Sequence, residues 1–191
     1  MHPSIMSSPR SRRIWGDQRG IAFTEFALVL PFLLLLMMGG YELSRLIIVN
    51  QRLEKVAYTV TDVVAQQTSV TNAQLGNIMT AAAEIMQPYP FSANGDIILS
   101  SVYQNGTGTS PTVKWQYKGG GTLASVSKIG QLAGIAALPS GLTLNNTDNV
   151  IIAEVFYNYT PLLIAGPILS TSLYKVVVFK PRLGALTTPP N

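Results

Sequence analysis

The chain has no cysteine, and its only histidine is His2. The first absence excludes disulfides, thiolate nucleophiles and cysteine-based zinc sites. Taken with the single histidine, it removes the usual parts of acid–base, nucleophilic and metal chemistry. No catalytic residue, cofactor or metal site is therefore expected, and the chain reads as a non-enzyme. Charge is scarce as well: 12% of the 191 residues are charged, against 47% hydrophobic. Such a balance is low for a freely soluble globule and suits an anchored protein. The length leaves room for one membrane segment and one modest domain.

The little charge present is unevenly placed. Within residues 1–20, Arg10, Arg12, Arg13 and Arg19 oppose Asp17, a net +3 of the total +4. Nearly all of the excess therefore precedes the apolar run that follows, and the sequence pI of about 9.4 is no argument for nucleic acid. A basic flank on one side favours a cytoplasmic N-terminus and an exported C-terminal portion. The leader carries Pro3, Pro9 and several serines without periodicity, so residues 1–20 are expected to be disordered.

From Ile21 to Tyr41 the chain is apolar except for Thr24 and Glu25. A helix rising ~1.5 Å per residue and running on to Asn50 exceeds the ~30 Å hydrocarbon core. Residues 21–49 are thus expected as a transmembrane helix, kinked at Pro31 and loosened, or opened to a neighbouring helix, at Gly39-Gly40. Glu25 is the anomaly, because a carboxylate within a membrane helix costs up to about 2.5–3.5 kcal/mol on insertion scales and is a functional candidate by default. A cleavable secretory signal has the same basic and apolar parts. Against it stand the long basic region, the want of a small-x-small site after the apolar run, and a pattern that continues straight into a further helix.

That continuation is carried by Leu53, Val56, Ala57, Val60, Val63 and Val64, spaced for one helical face that packs on the protein's own sheet, and it ends near Gln67. Thr71-Asn-Ala-Gln74 is a capping-box pattern opening a second helix, which Pro88 and Pro90 end. From Asp96 the period becomes two. Strands are expected at 97–104, 112–118, 150–159 and 173–180. In the second of these, Val113, Trp115 and Tyr117 are placed on one face. In the third, Glu154 lies opposite the apolar face, as an edge charge or a salt-bridge partner. Gly119-Gly120-Gly121 lacks a following Gly-Lys-Ser/Thr and is no phosphate loop. Leu123 to Leu138 is expected as a short irregular helix, Pro161 to Leu169 as an apolar loop that covers the sheet or contacts a membrane or partner, and Pro181 to Asn191 as a frayed tail. The fold class is α+β: a long membrane helix continuing into an amphipathic helix, a second helix, and a small antiparallel sheet of about four strands. Its organisation is a leader at 1–20, the membrane helix at 21–49 and an exported α+β domain at 50–191.

Gly20 ends the basic leader, Ile21 opens the apolar run, and Glu25 stands at its fifth position. This arrangement resembles the processing site of type IV prepilins and pseudopilins. With Glu42-Leu-Ser-Arg45, and later Val150–Tyr159 and Pro161, the chain resembles the TadE-like minor pilins (pseudopilins) of the tight-adherence pilus system. The resemblance implies that a prepilin peptidase cuts after Gly20, that Ile21 is the new N-terminus, and that Glu25 is the +5 glutamate that guides assembly. It further implies other pilins or pseudopilins and an inner-membrane assembly platform as partners. The place implied is the bacterial inner membrane, crossed once with the C-terminal domain periplasmic, or the pilus at the cell surface. Phe26 follows the glutamate where major pilins of such systems favour tyrosine, and the β-rich domain is far longer than theirs. An unprocessed single-pass anchor presenting a binding domain is the alternative.

Overall fold

The computed structural model describes residues 19–106, 109–163 and 170–191. Expectations for the first 18 residues of the leader, and for residues 164–169 of the apolar loop, lie outside these. The chain divides into two compact units, one reaching to Tyr41 and the other running Glu42–Asn191. Helix α1, Arg19–Ala65, contributes to both.

In the first unit Arg19 and Gly20, expected as the end of a disordered leader, are already helical. Pro31 lies inside α1, and helix is found on both sides of it. The apolar side chains point outward: Phe23, Leu28, Phe32 and Leu36 are each at least 70% exposed. Exposure on this scale, in a helix long and apolar enough to cross a membrane, is what a lipid-facing segment requires.

The second unit is α+β. Val49, Leu53, Val56, Ala57, Val60 and Val64 of α1 are fully buried at helical spacing. Each buried valine or leucine contributes about 1.5–3 kcal/mol. Buried Thr61 satisfies its hydroxyl by donating to the Ala57 carbonyl at 2.6 Å. Helix α2, Asn72–Ala83, opens with the full capping box: Thr71 Oγ1 accepts from the Gln74 amide, and the Gln74 side chain accepts from the Thr71 amide. It ends at Ala83 in a 3-10 turn, Glu84–Met86, before the two prolines. A short helix α3, Phe91–Asn94, leads into the sheet.

Strands β1 (Gly95–Tyr103), β2 (Thr112–Gly119), β3 (Asn149–Tyr159) and β4 (Thr171–Phe179) form one antiparallel sheet in the order β2-β1-β3-β4. One face carries Ile97, Leu99, Trp115, Ile151, Ala153, Val155, Tyr157 and Tyr159 against the helices. The other carries Val102, Val113, Val150 and Ile152 beneath Ile129 and Ala136.

Four expectations need correction. Val113 does not share a face with Trp115, because Val102 pairs with Val113 while Ser101 pairs with Trp115. The β-bulge at Lys114 inserts one residue and reverses the alternation. Residues 123–138 are not helical; they form an irregular cover, with bends and a turn, over the second face. Gly130 has φ +134, and an added Cβ there would lie 2.8 Å from the Ile135 carbonyl oxygen, so the chain turns where a helix would have to continue. Glu154 is no edge charge, since β3 is an interior strand and Glu154 is fully buried. Its carboxylate accepts from Ser127 Oγ, from the Lys128 amide at 2.8 Å and from the Tyr174 hydroxyl at 3.0 Å.

The tail is not frayed. Leu186 is buried, its amide donates to Asn149 Oδ1 at 2.8 Å, and its carbonyl accepts from Trp115 Nε1 at 2.7 Å and Ser101 Oγ at 2.6 Å. The Arg182 amide donates to the Ala65 carbonyl, and the last residue, Asn191, accepts from the Asn72 amide. A segment with no periodicity is thus ordered by the buried donors it satisfies.

Candidate functional site

Gly20, Ile21 and Glu25 occupy the opening turns of α1. Nothing among the described residues demands a glycine at position 20. Its φ is not in the left-handed region, and an added Cβ would meet no atom within 4 Å. Ile21 is 58% exposed. Its carbonyl accepts from Thr24 Oγ1 at 2.8 Å. Glu25 is exposed and pairs with no described residue. Ile21 and Glu25, four residues apart, lie on one helix face. All three residues singled out in the sequence are exposed, but Gly20 does not share the face of the other two.

A second constellation, in the Glu42–Asn191 unit, was not legible as a site. Glu42 is 5% exposed. One of its oxygens accepts from the Tyr159 hydroxyl, and the other accepts from the amides of Leu162 and Leu163, each at 3.1 Å. Arg45 completes the cluster: its Nη1 is 3.4 Å from Glu42 Oε1, and its guanidinium lies 5.6 and 5.9 Å from the ring centroids of Tyr89 and Tyr159. Burial first, and the Glu42 carboxylate second, push the Tyr159 phenol up to about 12. The i,i+3 pairing of Glu42 with Arg45 at the end of an apolar run was the available signal. The partners from β3 and the loop beyond it lie more than a hundred residues away. Among the described residues no group of three His, Cys, Asp or Glu is placed to hold a metal ion.

Among the described residues one helix is long and apolar enough to cross a membrane, and an α+β unit follows it, an arrangement consistent with single-pass membrane anchoring. Residues 20–62 match the family model described as TadE-like protein. The resemblance carried by Gly20–Pro31 and Glu42–Arg45 is thereby shown over that stretch, which begins at Gly20 itself. It suggests involvement in the tight-adherence pilus system and, in general terms, partners drawn from that system. No curated protein and no solved structure matches the chain.

Proposed function

We propose that this chain is a non-catalytic minor pilin or pseudopilin that takes part in assembling a tight-adherence pilus. A prepilin peptidase removes residues 1–20, leaving a free α-amine on Ile21. Glu25 then serves as the assembly carboxylate, accepting the amine of a neighbouring subunit within an apolar bundle. The protein spans the inner membrane once, with its N-terminus cytoplasmic and the Glu42–Asn191 unit periplasmic, held so by the leader's arginines. Losing the +3 leader eases extraction of the helix from the bilayer.

The observation that carries this reading is a glycine that no described residue requires, five residues before a carboxylate that pairs with no described residue, at the head of an exposed apolar helix. The described surroundings of Gly20 explain neither its lack of a side chain nor its place between a basic leader and Ile21. A peptidase cleft that must reach the backbone explains both. Glu25 without a partner costs energy in a membrane, and removing one side of a buried ion pair typically costs ~3–5 kcal/mol. A carboxylate satisfied only in the assembly thus enforces register there.

Glu25→Ala tests the assignment. The variant is expected to insert and to be cleaved, yet to fail to restore pili to a deletion strain and to be lost from co-purification with other pilus components. Full piliation by this variant would reduce Glu25 to an incidental charge and favour the unprocessed anchor.

A further inference from the structure

We propose that the Leu162–Leu163 segment of the Glu42–Asn191 unit is a second membrane contact, pinned by Glu42 so that both leucines enter the boundary between headgroups and acyl chains of a lipid bilayer. The inference rests on the membrane-anchored part of the reading above and is independent of cleavage and of the pilus role.

Leu162 is 61% and Leu163 39% exposed, just after buried Pro161. A single exposed leucine is ordinary, but these two are not isolated. Their amides reach the side chain of Glu42, and on the helix that carries it Leu43, Ile47 and Ile48 are 58%, 49% and 42% exposed. Around Glu42 the exposed side chains of this stretch are thus largely apolar, on the loop and on the helix alike.

The charges of this region are, by contrast, mostly covered. Glu42 and Arg45 are the only ionisable side chains between Phe26 and Asn50 apart from the phenol of Tyr41. The side chain of Glu42 is 6% exposed and that of Arg45 19%. Each is neutralised by the other, and the carboxylate is saturated by a phenol and two amides. A stretch in contact with hydrocarbon needs its charges paired and inward. A stretch facing water has no such need.

Continuity of the chain identifies lipid as the occupant. From Phe26 to Tyr41 there is no charged residue, and the side chains there are largely exposed, so the segment leading into this stretch already requires hydrocarbon. Half-exposed Tyr41 fits the aromatic boundary level of a bilayer. Glu42 therefore acts as a positioning residue. By accepting two successive backbone amides it leaves those groups satisfied without water, which an inserted segment requires.

The absence of native cysteines makes the test direct. Full-length chain carrying Leu162→Cys, Phe32→Cys or Val126→Cys is labelled with an environment-sensitive fluorophore in vesicles of phosphatidylethanolamine and phosphatidylglycerol. Doxyl-labelled lipid should quench most of the emission at positions 162 and 32, and both should be shielded from aqueous iodide. Position 126, 72% exposed, should show the reverse. Iodide access at 162 equal to that at 126 overturns the proposal. So does shielding from iodide without lipid quenching, which assigns the segment to a second copy or another protein. Loss of lipid quenching at 32 overturns the membrane reading and this inference together, whereas an uncleaved chain that passes at 162 leaves it standing. In a Glu42→Ala background the quenching at 162 should fall while that at 32 persists; unchanged quenching at 162 overturns the role of Glu42. The lipid contact itself is decided with Glu42 intact, whatever the folding of that variant.

Discussion

The phenol of Tyr159 donates to Oε1 of Glu42, joining the last residue of β3 to a helix residue 117 positions earlier. The carboxylate has no other phenolic donor among the described residues, and Tyr159 is itself buried. Tyr159→Phe keeps the ring and removes one hydrogen bond to a charged group. The expected loss of stability is about 1.5–3 kcal/mol. Denaturant unfolding in detergent micelles, followed by tryptophan emission, measures it; wild-type stability in the variant would mean the contact contributes nothing.

Alkaline conditions should destabilise the fold by a related route. Burial first, then Glu42, pushes Tyr159 up to about 12, and burial followed by Glu154 holds Tyr174 above the usual phenol range. In each case the native state keeps a proton that an unfolded tyrosine loses near pH 10. The stability they contribute is complete below about 10 and is lost as pH rises through the native values. A denaturation midpoint falling above about pH 10, less steeply in Tyr159→Phe, is the expected result. Identical alkaline slopes would contradict the assignment.

The C-terminal tail should be a structural element rather than an appendage. A chain ending at Gly184 strands the Trp115 indole N–H and the Ser101 hydroxyl, both buried. Each unsatisfied donor costs about 1–3 kcal/mol, so a loss of at least ~2 kcal/mol is expected, with tryptophan emission moved to the red. Unchanged emission and stability would show that these donors find partners elsewhere.

Glu154 should matter through the cover it holds. Replacing it with alanine leaves the Ser127 hydroxyl, the Lys128 amide and the Tyr174 hydroxyl without their acceptor. A loss of about 3 kcal/mol is expected, with accelerated amide exchange concentrated in residues 123–130. Glu154→Gln, which keeps one acceptor oxygen, should lose less. Exchange unaltered in that segment would detach the cover from the carboxylate.

Periodicity was enough to place the buried stripe Leu53–Val64, the Thr71 cap and all four strands. Each is a local pattern: a 3.6-residue repeat, a side chain reaching three residues, or a two-residue alternation. What escaped was decided at long range. The bulge at Lys114 depends on how β1 pairs with β2, and no alternation within β2 reports it. The tail is ordered by donors on β1 and β2 that lie 85 and 71 residues earlier. Residues 123–138 carry a helix-like spacing, but the hydrogen bonds to Glu154 and the positive φ of Gly130 go with an irregular, non-helical path. The Glu42 cluster is of the same kind, assembled from two segments more than a hundred residues apart. Gly20, Ile21 and Glu25 were singled out by linear register alone.

The start of the mature chain is the most direct measurement. Intact-mass analysis of protein isolated from native membranes, with sequencing of the N-terminal peptide, should find Ile21 as the first residue and residues 1–20 gone. A uniformly full-length chain in cells whose prepilin peptidase is active, or a cut near Gly40, would contradict processing at Gly20 and with it the assembly role of Glu25.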